Sequence, residues 1–313
     1  MELTMDSFLY FLSGVAGVAL LYYGAEYLVK GGVSVAMRMK VSPLVIGLTL
    51  VAFATSAPEL VVSIDSALKG YGDISIGNVV GSNICNIGLI LGLSALISPL
   101  SINRKLLKLD FPIMLCSALL LCLFYWMNHG VNRWQASVFF TGILLYTSWL
   151  IHASRKEEQD GGENRVHGLL LSILFVLLGI AGLVGGAKLF VNFAVYLARL
   201  CHVSDAVIGL TVDAIGTSLP ELATSVVAAI KGENDIAVGN VVGSNIFNIL
   251  CILGVVPLIS PIQTQEMQMS DMLMMVGITI AIIPFAWFGG RLNRLGGAFL
   301  LLVFATYIIS IAL

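Results

Sequence analysis

Two acidic residues set in strongly apolar surroundings, Glu59 and Glu221, are the natural starting point for chemistry. Ala52, Thr55, Ser56, Glu59 and Ser63 fall on one stripe of a helix, and Ala214, Thr217, Ser218, Glu221 and Ser225 repeat the spacing. Further along, Asn78, Ser82 and Asn86 advance in four-residue steps, as do Asn240, Ser244 and Asn248, so each set makes a second polar face. Together these faces offer carboxylates, hydroxyls, amide oxygens and backbone carbonyls, all hard oxygen donors. Calcium takes about six to eight oxygens in flexible geometry and sodium also favours oxygen, whereas zinc or copper would call for His or Cys. None of the four histidines belongs to these stripes, and the stripes contain no Lys or Arg. Two carboxylates without a basic partner suit a divalent cation, or sodium ions, as exchangeable neutralising charge. Protons are the competing occupants. The plain alternative is polar glue between helices, which weighs most for a single Ser or Thr, since these often bond back to their own helix.

The backbone around the acids carries its own signal. Pro58 and Pro220 lack N–H groups and release the carbonyls of Ala54 and Gly216 from the helical ladder. Kinks of this kind belong where protein or water satisfies the freed groups, not against lipid. Gly77 with Gly81, and Gly239 with Gly243, have the GxxxG spacing that lets helices approach closely.

The elements that must position these residues are membrane helices. Of the 313 residues 58% are hydrophobic and 11% charged, with a mean hydropathy of +0.98, and a water-soluble fold could not hide that much apolar surface. Apolar runs long enough to cross a hydrocarbon core about 30 Å thick occur at 8–29, 43–68, 75–97, 110–127, 134–153, 168–190, 205–230, 236–259, 271–288 and 294–312. The expected fold is an all-α integral membrane protein with ten transmembrane helices. There an uncompensated carboxylate costs at least about 2.5 kcal/mol, so Glu59 and Glu221 need a partner, a proton or a function.

With the N-terminus outside, the inner loops hold Lys30, Arg38, Lys40, Arg104, Lys105, Lys108, Arg155, Lys156, Arg165, Lys231, Arg291 and Arg294. The outer side keeps only Lys69, Arg133, Lys188 and Arg199. Basic residues near helix ends stay cytoplasmic, so both termini are expected outside. The first run is too long, and the preceding MELTMDS too acidic, for a secretory signal; it is expected to remain as the first helix. Cys85, Cys116, Cys122, Cys201 and Cys251 form no CxxC pair and read as packing residues rather than as disulfides or a zinc site.

From Gly47, GLTLVAFATSAPELVVSIDSALKGYGDISIGNVVGSNICNIGLILGLSALISPL aligns without a gap to GLTVDAIGTSLPELATSVVAAIKGENDIAVGNVVGSNIFNILCILGVVPLISPI from Gly209, at an offset of 162. Of the 54 aligned positions 32 are identical, which marks an internal duplication. GAEYLV at Gly24 and GAKLFV at Gly186 extend the repeat to a whole half. Five spans per half is an odd number, so the second copy enters from the opposite face. The result is two inverted five-helix repeats, 1–154 and 167–313, joined by a solvated cytoplasmic linker at 155–166. Inverted repeats bring corresponding segments together near the midplane, where secondary transporters hold their substrates.

These residues resemble a known family. TSAPE and TSLPE, each followed after the same spacing by GSNIxNI, resemble the two alpha repeats of the sodium/calcium exchanger family in the cation/calcium antiporter superfamily, and are most similar to its prokaryotic members. The resemblance is strong over the two central regions, and the architecture it implies covers essentially the whole chain. It implies a cation site formed by Ala52, Thr55, Ser56, Glu59, Ser82 and Asn86 with Ala214, Thr217, Ser218, Glu221, Ser244 and Asn248. The alanines would contribute backbone carbonyls and the others side chains, Thr55 and Thr217 using carbonyls as well. It also implies alternating access in which the first and sixth helices slide across a more rigid core. Gly14, Gly17, Gly24, Gly185 and Gly186 fit a loosely packed moving surface, as they fit ordinary helix packing.

Three positions stand apart. Several exchangers have Asp where this chain has Asn248, which implies one less negative charge at the centre and a different stoichiometry or coupling ion. Ala54 replaces the glycine usual before the Thr-Ser pair, which Gly216 retains. Asp213, matched by Val51, lies about 12 Å along a helix from Glu221 and reads either as a vestibule acid that attracts cations on the outer side or as a hydrogen-bonded structural acid.

The expectation is therefore secondary active antiport of calcium against sodium in the cytoplasmic (inner) membrane of a bacterium or archaeon. Its partners are the two ions and the lipid bilayer, with no resident cofactor, no nucleic acid and no obligatory protein partner. Calcium/proton or another divalent/monovalent antiport, through protonatable Glu59 and Glu221, is the alternative. A passive cation channel and an intramembrane enzyme stand further back, since Ser56 has no His or Lys in its stripe and an enzyme does not need a duplicated site.

Overall fold

Apolar sequence without an internal proline gives the longest helices, Met5–Met39 and Leu169–Leu200, of 35 and 32 residues. They belong to a computed structural model that describes residues 5–39, 41–154, 168–201 and 214–312. Both outrun the expected spans at 8–29 and 168–190. At 1.5 Å per residue each is roughly 50 Å long, so it must tilt in a hydrocarbon core of about 30 Å or project from it.

The two long helices meet backbone to backbone. Gly17, Gly24 and Gly31 face Gly186, Gly179 and Ser172 in turn; a Cβ at Gly24 would lie 2.7 Å from the Leu183 nitrogen, and one at Gly179 2.6 Å from the Leu28 nitrogen. Close packing of this kind is what holds helices together in lipid, where no hydrophobic effect pulls one helix to another. Gly14, Gly17, Gly24 and Gly186 thus form a tight seam, which is ordinary close helix packing, the second of the two readings their sequence allows; Gly185 alone of that set faces open space. A Ser34–Ser172 hydroxyl pair 2.7 Å apart closes one end of the seam, and Tyr10 stacked on Tyr196, ring centroids 4.2 Å apart, closes the other.

Among the described residues, eight helices are long and apolar enough to cross a membrane, or nine if the bent pair Pro43–Thr55 and Ala57–Leu68 is one crossing. The expected span at 205–230 begins outside the described residues, and its described part is the short helices Ala214–Thr217 and Leu219–Ile230. The expected linker at 155–166 lies outside them too. At the centre run Gly72–Cys85 with Gly92–Ile97 and Asn234–Phe247 with Leu253–Ile259, each carried through a π-helical turn at Asn86–Leu91 or Asn248–Ile252. Ile76, Ile84 and Ile87 on one, and Val241, Ile246 and Ile249 on the other, are fully buried. Around them the outer helices expose large apolar side chains such as Trp126, Leu145, Leu170, Trp287 and Leu295. Gly243 shows why the sequence needs glycine at the centre, since a Cβ there would lie 2.7 Å from the Leu48 carbonyl oxygen.

The ends of the bundle are tied across the two halves of the chain. Leu100–Ser101 pairs antiparallel with Arg291–Leu292, and Gly130–Val131 with Ile262–Gln263. Asp73, in the first turn of its helix, accepts the backbone N–H groups of Gln265, Glu266 and Met267 at 3.0 to 3.1 Å. Buried Asp110 accepts from the Tyr146 hydroxyl at 2.8 Å, and the corresponding Asp271 accepts from Tyr307 at 3.0 Å.

Candidate functional site

The helix bearing Glu59 is made of two pieces. Pro43–Ile46 continues through a π turn at Gly47–Val51 into Ala52–Thr55, stops at Ser56 (φ −85°, ψ 5°), and restarts as Ala57–Leu68 at a bend of 44°. The other half breaks at Ser218 with nearly the same angles, φ −87° and ψ 4°. Pro58 and Pro220 sit in the first turn of the restarted helices, where the missing N–H is tolerated, so the expected kinks are full breaks. Each break creates a helix N-terminus, and Glu59 and Glu221 occupy that first turn, where the helix dipole favours a carboxylate.

The two halves reach across to each other's acids. The Ser56 hydroxyl donates to Glu221 Oε1 at 2.8 Å, and the Ser218 hydroxyl donates to Glu59 Oε1 at 3.4 Å. All four side chains are buried, and the two carboxylates lie within electrostatic range of one another. Thr217 stands beside Glu59, and Thr55 stands beside Glu221 while donating to Asn240 Oδ1 at 3.1 Å. Asn78 and Asn240 act as matched clasps: each amide donates to a serine hydroxyl, Ser63 or Ser225, at 2.9 Å and to the backbone carbonyl of the glutamate in its own half. Among the described residues, ion pairs join Glu26 to Lys30 and Lys231, and Asp65 to Lys69; none reaches Glu59 or Glu221.

A second layer is built of asparagines. Asn86 donates to Asn245 Oδ1 at 2.9 Å and Asn248 donates to Asn83 Oδ1 at 3.1 Å, each bond crossing between the halves. Cys85, next to Asn86, stands beside Ser218 and within electrostatic range of both glutamates, which links the two layers. Glu59 Oε2, Glu221 Oε2, Asn86 Oδ1, Asn248 Oδ1 and Ser244 Oγ are buried and have no protein partner. Buried polar atoms are almost always bonded, so five such oxygens in matched segments of the two halves are an unfilled demand for positive charge or for hydrogen-bond donors. No group of three or more His, Cys, Asp or Glu occurs among the described residues, so a cation here would rest on two carboxylates and neutral oxygens.

A sequence model for the family described as "Sodium/calcium exchanger protein" matches residues 9–152 and 171–312. The chain belongs to the sodium/calcium exchanger family. Similar relatives include the putative antiporter CaxA of Alkalimonas amylolytica, 36% identical over 94% of this chain and 95% of its own, and the sodium/calcium exchanger MaX1 of Methanosarcina acetivorans, 35% identical over 96% and 97%. Among solved structures, the sodium-calcium exchanger NCX_Mj soaked with zero Na+ and Ca2+ superposes with a TM-score of 0.85 at 32% identity, over 97% of this chain and 99% of that one.

Within this exchanger, the structure brings Thr55, Ser56, Glu59, Ser218 and Glu221 together, with Thr217 alongside and Ser82, Asn86, Ser244 and Asn248 buried on the neighbouring helices. The Ala52 carbonyl already accepts the Ser56 N–H at 3.0 Å and lies 3.3 Å from the Thr55 hydroxyl, whose single proton it shares with or yields to Asn240 Oδ1. Ala214 opens its short helix, and the Ser218 N–H bonds to the Ile215 carbonyl at 3.1 Å. Asp213 lies outside the described residues. The stripe reading passed over Asn83 and Asn245, one residue off the four-residue period; the signal for them was the GSNI tetrad, identical in both halves.

Proposed function

We propose that this chain is a secondary antiporter that exchanges sodium for calcium by alternating access. The observation that carries the reading is the pair of buried glutamates, one from each half, with unpartnered oxygens and no ion pair to a basic side chain among the described residues, in a member of the exchanger family. The proposed site comprises Thr55, Ser56, Glu59, Ser82, Asn86, Thr217, Ser218, Glu221, Ser244 and Asn248, with Ala52 and Ala214 contributing backbone carbonyls. Its ions are cargo: two carboxylates balance one calcium, and sodium ions replace it on the return. The chemistry is binding and release, with no covalent step.

Ten spans in two inverted halves, 1–154 and 167–313, with 155–166 as the linker, are the architecture we assign. Matching breaks at Ser56 and Ser218, reciprocal ladders at the bundle ends, and the Asp110–Tyr146 and Asp271–Tyr307 pairs support it. The glycine seam supports movement of the two long helices as one body. The distribution of Lys and Arg supports outside termini in the inner membrane of a bacterium or archaeon.

Protons are the second candidate counter-ion, because the free Oε2 atoms of Glu59 and Glu221 can hold protons as readily as they can face cations. Reconstitution separates the two. Calcium uptake into sodium-loaded liposomes that stops when the sodium gradient is removed supports the proposal; uptake that persists without sodium and collapses a pH gradient replaces it with proton antiport.

A further inference from the structure

We propose that Asn83 and Asn245 are positioning residues that fix which end of the Asn248 and Asn86 amides faces the cation. The inference rests on the exchange reading. Asn83 Nδ2 donates to the Asn245 backbone carbonyl at 3.4 Å, and Asn245 Nδ2 donates to the Asn83 backbone carbonyl at 3.3 Å. A backbone carbonyl only accepts, so each amide must turn its nitrogen toward it. The remaining oxygens then face the next pair: Asn83 Oδ1 meets Asn248 at 3.1 Å, and Asn245 Oδ1 meets Asn86 at 2.9 Å. An amide oxygen accepts only from a donor, so Asn248 and Asn86 present nitrogen to the clasp and are left with their oxygens turned away from it. Those two oxygens are among the buried atoms without a protein partner.

Two backbone carbonyls, helped at Asn83 by the Met275 sulfur 3.7 Å from its amide nitrogen, thus dictate the orientation of four side chains. Each clasp crosses the halves, so the first half orients the ligand of the second and the reverse. Without Asn83, nothing in this network prevents Asn248 from turning its NH2 group to the ion, where it would repel positive charge. A π-helical turn begins at Asn86 and another at Asn248, so the extra residue that re-aims each helix falls at the side chain being oriented.

Double-mutant cycles test this in sodium-driven calcium uptake by the reconstituted full-length protein, with thermal unfolding measured on the same preparations. Asn83→Ala is expected to raise the calcium KM about tenfold, equivalent to about 1.4 kcal/mol and the size of one hydrogen bond, with the maximal rate within about twofold. It adds little when Asn248→Ala is already present, yet adds fully to Asn86→Ala. Asn245→Ala shows the opposite pattern, coupling to Asn86 and not to Asn248. A purely structural role lowers the unfolding temperature and gives the same KM increment in every background; that result, or an unchanged KM, overturns the inference. If one alanine variant does not fold, the cycle in the other half decides. Failure of the unaltered protein to take up calcium under a sodium gradient overturns the exchange reading itself and this inference with it, whereas normal uptake with additive cycles overturns only the positioning role.

Discussion

Replacing Gly24 by alanine strikes the seam between the two long helices, on which the joint movement we propose for them would depend. The added Cβ would lie 2.7 Å from the Leu183 nitrogen and 3.0 Å from the Gly179 oxygen, both backbone atoms that cannot rotate away. Ordinary carbon contacts sit at about 3.5 to 4.0 Å, so the helices must separate by roughly 1 Å or bend. Overpacking of this kind costs about 1 to 3 kcal/mol. It also loosens the Gly17–Gly186 contact one turn or more away, where a Cβ would be 2.8 Å from the Phe190 nitrogen. Gly185→Ala, with open space around its Cβ, is the internal control. Thermal unfolding of the purified protein should show a clear loss of stability for Gly24→Ala and none for Gly185→Ala, with slowed calcium exchange in the first only. Equal behaviour of the two variants would refute the idea that the long helices are held by backbone contact.

Tyr146→Phe removes the hydroxyl that bonds buried Asp110, and should lower stability by about 1.5 to 3 kcal/mol, more than Tyr307→Phe at the less buried Asp271; chemical unfolding of both variants tests the order. Asp73→Ala leaves the Gln265, Glu266 and Met267 N–H groups without their acceptor, so local hydrogen exchange at those amides should rise while the calcium KM stays within about twofold. Asn248→Asp places an acceptor 3.1 Å from Asn83 Oδ1, so the ion-free protein should unfold about 1 to 3 kcal/mol more easily and regain stability as calcium is added, read from unfolding curves at rising calcium.

Much of the site was legible because the chain states it twice. Glu59 and Glu221, with Ser56 and Ser218, stand out at a fixed offset in otherwise apolar sequence, and the structure hydrogen-bonds each serine to the other half's acid. What escaped the sequence follows from particular physics. A proline in a helix interior and one in the first turn of a new helix look alike in a string of letters, so Pro58 read as a kink and not as a break. Asn83 and Asn245 act through amide geometry that no periodicity encodes. The long helices outran their hydropathy windows because Lys30 and Arg38 mark an apparent edge in a segment that nonetheless stays helical. Two-residue strands such as Leu100–Ser101 are too short to carry an alternating pattern. Asp110 and Tyr146 sit 36 residues apart, and an acid at the margin of an apolar run reads simply as its boundary.

The central claim is that Glu59 and Glu221 together carry the exchanged cation, and calcium-45 uptake into sodium-loaded proteoliposomes tests it most directly. Sodium-gradient-dependent uptake by the unaltered protein, lost in Glu59→Gln and in Glu221→Gln while both variants remain folded, is the predicted result. Uptake that survives either substitution would contradict the claim and move the cation pathway away from the paired acids.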